Sequence, residues 1–281
     1  MNDSLLVGFS PASVTCFFMP TLGESAANSY SRGCAINIKQ GVTAHIQGAP
    51  SHEIFFNGER KSIAPVSYII EKIAPEPVKV SLESSLPLGF GFGLSSASCL
   101  ATALTITRRY NLNLSITDLG NIAHEAEFTY KTGLGDVASQ LCGGIVFRKC
   151  EHGPLDSERL AIESQPIYIR IFDELETAKV LTDKSVVERI AQAGATATKW
   201  LRNHIDNITL SDLLSTSYTF AKDTGLLTNG AVKACINDVM AQGGRATMIM
   251  LGHGVLSTLP VGETSQWIKC EIDSQGTRYR G

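Results

Sequence analysis

The stretch Pro87-Leu-Gly-Phe-Gly-Phe-Gly-Leu-Ser-Ser-Ala97 decides how the rest of the chain is read. It follows Val78, Val80 and Leu82, whose alternation predicts a strand, and it opens an Ala-, Leu- and Thr-rich segment reaching about Arg109 that predicts a buried helix. Glycines let a backbone approach a ligand and adopt positive φ, while a helix start offers free N–H groups and a partial positive charge. Together these suit a phosphate. No Gly-Lys-Ser/Thr closes the turn, and Gly89-x-Gly91-x-Gly93 lacks the spacing and downstream acid of a dinucleotide fingerprint. A tight turn packed beneath a sheet is the purely structural alternative.

Upstream, the chain is strand-like at Leu5 to Phe9, Val14 to Phe18, Gly33 to Ile38, Val42 to Ile46 and Glu53 to Phe56, material for hairpins. Ile63, Val66, Ile69, Ile70 and Ile73 fall on one helical face before Pro75 and Pro77. Downstream, Ser115 is placed to cap a helix running to about Tyr130, and Gly144 to Phe147 is again strand-like. The polar stretch Glu151 to Ser164 reads as a linker. Beyond it come a strand (Pro166 to Phe172), three helices (about Asp183 to His204, Ser211 to Lys222, Asn229 to Gln242), a strand Ala246 to Leu251 and a final strand pair near Trp267 to Tyr279. The pattern is α+β, divided into residues 1–160 and 161–281.

Composition narrows the function. The 281 residues carry 24 basic and 27 acidic side chains, and this net charge of -3 argues against a nucleic-acid binder, which needs a basic face. With 43% hydrophobic residues there is ample material for a core. Only 18% of residues are charged, against about a quarter in a typical soluble protein, so some surface is expected to be hidden by ligand or partner. Seven cysteines without C-x-x-C predict free thiols in a reducing compartment, and no His/Cys spacing suits structural zinc. The start Met1-Asn2-Asp3-Ser4 lacks the basic residues of a signal peptide, and no apolar run approaches the roughly 20 residues that span a bilayer. A cytoplasmic protein with no membrane partner is the expectation.

Pro87-x-x-x-Gly91-Phe92-Gly93-Leu94-Ser95 resembles the P-x-x-x-G-L-G-S-S signature of the galactokinase, homoserine kinase, mevalonate kinase and phosphomevalonate kinase superfamily, with Phe92 in place of Leu and Leu94 in place of the first Ser. The resemblance implies two domains, an N-terminal ribosomal-protein-S5-like α/β domain and a C-terminal ferredoxin-like α+β domain. It implies ATP and Mg²⁺, with Pro87, Gly89 and the run Gly91, Phe92, Gly93, Leu94, Ser95, Ser96 at the nucleotide. Ser95 would help hold the metal, and Ser96 offers a second hydroxyl.

In the resembled kinases a helix glutamate holds Mg²⁺ and an aspartate in a following turn acts as base. Here His124-Glu-Ala-Glu-Phe-Thr-Tyr-Lys-Thr-Gly-Leu-Gly-Asp136 ends a helix in a turn that presents Asp136, the match to that aspartate. For the glutamate, the spacing of mevalonate kinases points to Glu125. Helix geometry points to Glu127, because at about 100° per residue it falls at the edge of the stripe formed by Ile116, Leu119, Ile122, Ala123 and Ala126. An edge position suits a metal at the seam between helix and loop, and Glu127 is the expected ligand.

Across the chain the resemblance is to archaeal-type pantoate kinases, through Phe9-Ser-Pro-Ala-Ser-Val-Thr-Cys-Phe-Phe18, Ser31-Arg32-Gly33, His124-x-x-Glu127, Thr132-Gly-Leu-Gly-Asp136, Gly143-Gly144 with Arg148, and Met248-x-Met250-Leu-Gly252. It implies transfer of the ATP γ-phosphate to the terminal hydroxyl of pantoate, on the archaeal route to coenzyme A. Pantoate carries a carboxylate, for which Arg148 is the expected cation, since a guanidinium binds a carboxylate through two parallel hydrogen bonds. Ser31 and Arg32 are further substrate candidates, Arg32 for the same carboxylate or for the nucleotide. Met248-Ile-Met-Leu-Gly-His-Gly254 has fewer glycines than the superfamily's C-terminal motif, which predicts a stiff apolar strand. Alternatives are a homoserine, mevalonate or sugar kinase of this fold, or a nucleotide or metabolite sensor without activity. A homodimer is also implied.

Overall fold

The computed structural model describes residues 7–173 and 184–281. The expected starts at Leu5 and Asp183, and the segment Met1–Ser4, lie outside the described residues.

Two long strands, β1 (Val7–Thr21) and β2 (Tyr30–Gly48), form the antiparallel hairpin on which the first layer is built. Each spans two of the short strands predicted from sequence. The separating Pro11 and Gly41 do not break the ladder, because register shifts at Pro11/Ala12 and Thr15/Phe17 absorb them as bulges. Along its far half β2 pairs with β5 (Val78–Glu83), which β3 (Glu53–Phe56) extends in parallel and β4 (Glu59–Arg60) completes. Along its near half β2 pairs with β6 (Ile145–Arg148), so that Arg148 lies opposite Gly33. β7 (Ser157–Arg159) pairs with β6, giving the stretch read as a linker a place in this sheet.

Helices α1 (Ala64–Ile73), α2 (Leu94–Arg109), α3 (Ile116–Tyr130) and α4 (Asp136–Cys142) accompany this sheet. Every residue of α2 from Ser96 to Thr107 is buried, which accounts for its lack of charge until Arg108. Ser115 caps α3 through a reciprocal box with Asp118. At the other end Lys131 turns left-handed (φ 56°) and releases the chain into the glycine turn before α4.

The second layer holds β8 (Ile167–Asp173), α5 (Lys184–His204), α6 (Leu210–Thr224), α7 (Gly230–Ala241), β9 (Ala246–Met248), β10 (His253–Ser257) and β11 (Ile268–Cys270), with sheet order β11-β8-β10-β9. The expected final strand pair is divided between the layers: β11 joins β8, whereas β12 (Arg278–Arg280) crosses to pair with β1. Phe220 of α6 packs against Phe17 and Phe18, and Ser217 Oγ donates to Cys16 O at 2.6 Å, so the two layers share one apolar core. All seven cysteines are free. Among the described residues no helix is long and apolar enough to cross a membrane.

Candidate active site

Gly89, Gly91 and Gly93 have φ of 88°, 80° and 60°, a region open at little cost chiefly to glycine. Phe92 between them and Leu94 just after them turn their side chains into the core, and Phe92 O accepts the Ser13 amide at 2.9 Å. These anchors leave the backbone of the turn to do the binding. Gly93 is the N-cap of α2 and has no side chain to cap the first-turn amides, the arrangement that suits an anion.

Beneath the turn, Glu127 is 1% exposed and both its oxygens are engaged by hydroxyls. Oε1 accepts from Ser95 Oγ (2.6 Å) and Thr132 Oγ1 (2.8 Å), and Oε2 from Ser96 Oγ (2.6 Å). Burial pushes its carboxyl up from the ordinary range; the three hydroxyls draw it back, and the Asp136 charge adds to the rise. Glu125 lies on the outer side of the same helix in an exposed ion pair with Lys72, whose hydrogen bond lowers it. Among the described residues no cation pairs with Glu127. A buried carboxylate beside two hydroxyls, all hard oxygen donors and without a protein counter-charge, fits Mg²⁺.

Asp136 follows directly on the turn after α3 and is the first residue of α4. A Cβ placed on Gly133 would lie 2.9 Å from Glu127 Oε2, 3.8 Å from Asp136 Oδ2 and 3.9 Å from Ser96 Oγ. Three oxygens thus converge on space that glycine keeps open. Burial raises Asp136 as well, while Arg148 and the Ser13 and Thr15 hydroxyls act in the opposite direction.

Arg148 is not a free strand-end arginine. It is 1% exposed, donates from Nε to Ser31 O (2.9 Å) and from Nη1 to Ser139 Oγ (3.0 Å), and lies against Gly135. Ser31 is buried too, and its amide donates to Leu134 O at 3.2 Å, which fastens β2 to the turn before Asp136. Arg32 has a different setting, with Nε donating to Lys149 O at 2.7 Å and the guanidinium over Tyr30. Ser95, Ser96, Glu127 and Asp136 are therefore brought together, Arg148 and Ser31 lie directly behind them, and Arg32 makes its contacts elsewhere.

Sequence reasoning missed Thr132, Ser13, Thr15 and Gln140. The alternation Ser13-Val14-Thr15 in an otherwise apolar strand was a usable signal, since two hydroxyls there face one side. His124 is buried, with Nε2 2.8 Å from Ser29 O and 3.0 Å from Ala26 O, and so ties α3 to the segment entering β2.

On the other flank of the glycine turn lies the C-terminal motif. The predicted strand Ala246 to Leu251 stops at Met248, and the chain turns through Leu251 (φ 60°) into β10. A Cβ on Gly91 would lie 2.6 Å from Met250 O, and one on Gly252 would lie 2.2 Å from Phe90 O. A cavity of about 640 Å³ opens near the start of the turn, lined by Asn57, Gly58, Ser84, Ser85 and Arg280 among others.

Residues 62–144 match the family model described as the N-terminal domain of GHMP kinases, a span holding the glycine turn, Glu127 and Asp136. A pantoate kinase from Thermococcus kodakarensis is 31% identical over 267 residues, covering 90% of this chain and 87% of the relative. One from Methanocaldococcus jannaschii is 28% identical over 250 residues, covering 87% and 89%. A solved phosphotransferase related to the coenzyme A biosynthesis pathway superposes with a TM-score of 0.83 at 26% identity over 98% of both chains. A mevalonate diphosphate decarboxylase from Enterococcus faecalis shares the fold, with a TM-score of 0.74 at 12% identity over 98% of this chain and 99% of the other. The chain belongs to the pantoate kinase family, within the GHMP kinases.

Proposed function

We propose that this chain transfers the γ-phosphate of ATP to the terminal hydroxyl of pantoate, giving 4-phosphopantoate for coenzyme A synthesis. The observation that carries the reading is the Glu127 carboxylate bound to Ser95 and Ser96 of the glycine turn, with Asp136 facing the same space. The triphosphate lies on the turn and the N-terminus of α2, with the nucleoside end toward the cavity beside Asn57 and Ser84. Ser95, Ser96 and Glu127 would hold Mg²⁺, which when bound neutralises charge on the phosphate oxygens.

Phosphoryl transfer needs chiefly positioning and charge stabilisation from a protein. Asp136 orients the attacking hydroxyl and accepts its proton. Desolvation of its carboxyl raises its basicity, and Arg148 behind it limits that rise. Arg148 also supplies the positive charge at which the pantoate carboxylate settles, with Ser31 holding the guanidinium from behind. Residues 1–160, joined by β12 at the end of the chain, carry the nucleotide, and the rest of 161–281 closes over the acceptor, in a cytoplasmic homodimer.

ADP release is the direct test, with Mg-ATP offered alongside pantoate, pantoamide, homoserine, mevalonate and a hexose. Pantoate-dependent ADP, much reduced for the uncharged amide, is the expected result. Turnover with another acceptor alone would reassign the substrate, and nucleotide binding without turnover on any acceptor would mark a sensor.

A further inference from the structure

We propose that Gln140 is a positioning residue for phosphoryl transfer, holding the end of the glycine turn and the helix that carries Asp136 in one fixed relation. The proposal rests on the kinase reading and assigns a part of the site that the reading leaves unexplained. Gln140 stands one helical turn after Asp136 on α4 and is fully buried, at 0% exposure. A polar amide in that position needs a reason, because an apolar side chain of the same size would fill the space without desolvating two polar atoms.

Its contacts give the reason. Nε2 donates to Gly93 O at 2.8 Å, and the same oxygen accepts the Ala97 amide at 3.0 Å, the first hydrogen bond of α2. Gly93 is both the last glycine of the turn and the N-cap of α2, so this one bond ties the phosphate-facing helix start to α4. The approach is close: a Cβ on Gly93 would stand 3.0 Å from both Asp136 Cγ and Gln140 Nε2. Oε1 is buried and receives no hydrogen bond among the described residues. Only half of the amide is satisfied by the protein, which makes the residue a poor choice for stability and directs attention to what Nε2 holds.

The far side of Gln140 is fixed by the C-terminal segment. Its main-chain oxygen accepts from the Thr277 amide (2.8 Å) and from Thr277 Oγ1 (3.2 Å), and that hydroxyl also lies 2.9 Å from Ser10 Oγ. Thr277 therefore anchors the helix, while the Gln140 side chain aligns it with the turn. These are separable jobs. If the alignment matters to the reaction, its loss leaves each substrate able to bind and lowers the rate at which the bound pair reacts.

The test measures kcat, both KM values and Tm for Gln140→Met, which keeps the shape and loses the donor, beside Thr277→Val, which loses only an anchoring hydroxyl. Gln140→Leu, which also lacks a donor, takes the place of the methionine variant if that fails to fold. The kcat is expressed per nucleotide-binding site, so partial unfolding does not register as lost rate. The Gln140 variant is expected to lose roughly tenfold or more in kcat while both KM values stay within about threefold. Thr277→Val is expected to lower Tm with kcat within twofold. A Gln140 variant with kcat within twofold of the unsubstituted chain overturns the proposal, as does an equal loss in both variants, which would signify general loosening of α4. The ratio is taken on whichever hydroxy acid the unsubstituted chain phosphorylates, so a wrong acceptor assignment leaves this comparison intact.

Discussion

The glycine turn is held on two flanks by opposite means. Toward α3 and α4 it is held through polar side chains: Ser95 and Ser96 on Glu127, Gln140 Nε2 on Gly93 O, and Asp136 close against Gly93. Toward the C-terminal motif it is held through bare backbone, Gly91 against Met250 and Gly252 against Phe90, with Met248, Ile249 and Met250 buried behind. The first flank supplies chemistry and the second supplies a wall. The difference implies that the first should be sensitive to isosteric changes that alter charge, and the second to changes of volume alone.

The largest effect is expected on the chemical flank. Asp136→Asn keeps the shape of the side chain and removes the base, so kcat should fall by roughly 10² to 10⁴ while ATP binding is retained. Steady-state kinetics with a nucleotide-binding titration would check it, and near-normal kcat would remove Asp136 from the reaction. Glu127→Gln should come next, with a large loss of kcat and a weakened dependence on Mg²⁺.

The same variant carries a signature in stability. Burial raises Glu127 and Asp136 above the unfolded carboxylate range, so the folded chain holds those protons more tightly than the unfolded chain. Their contribution to stability is complete below about pH 4 and is lost as pH climbs through the raised folded values. In metal-free buffer Tm should therefore decline over that rise in pH, other groups being equal. Glu127→Gln should flatten the decline, and so should saturating Mg-ATP in the unsubstituted chain. A thermal scan across pH that showed identical slopes would contradict the idea that Glu127 lacks a counter-charge.

On the steric flank Gly252→Ala adds one methyl group 2.2 Å from Phe90 O, a distance no real Cβ tolerates, so the turn or the motif must shift. Overpacking of this kind costs about 1–3 kcal/mol. KM for ATP should rise several-fold, with a lower Tm and a smaller effect on kcat than either carboxylate substitution. Unchanged KM would mean that the motif does not support the nucleotide side of the turn.

How much of this was legible in the sequence follows from how far apart the contacting residues are. The glycine turn, the Ser115 cap and the position of Glu127 at the edge of an apolar stripe are local, and local periodicity and turn chemistry report on them. The bulged hairpin was not legible, since Pro11 and Gly41 read as breaks until their bulged pairing across the ladder is known. Nor was the crossing of β12 to the first sheet, or the tie from Thr277 to Gln140, or the meeting of Gly91 with Gly252. Each joins residues more than a hundred positions apart, and nothing in a short window encodes it. Arg148 shows the middle case: its identity as the site's cation could be suggested from the chemistry of a carboxylate acceptor, but its burial behind Gly135 depends on the pairing of β6 with β2.

Glu125 and Glu127 sharpen the comparison on a single helix, because two residues of identical chemistry have been given opposite surroundings. Glu125 faces solvent and pairs with Lys72, both partners being about two-fifths exposed. An exposed pair of this kind contributes at most about 1 kcal/mol, and often nothing measurable. Lys72 lowers the Glu125 carboxyl, so whatever stability the pair lends is present above the unfolded carboxylate range and is lost as pH falls through the lowered folded value, the reverse of Glu127. Glu125→Gln should accordingly leave kcat and both KM values within twofold and shift Tm by no more than a degree or two. A loss of Mg²⁺ dependence in this variant, matching that of Glu127→Gln, would transfer the metal to the outer face of α3 and break the distinction between them.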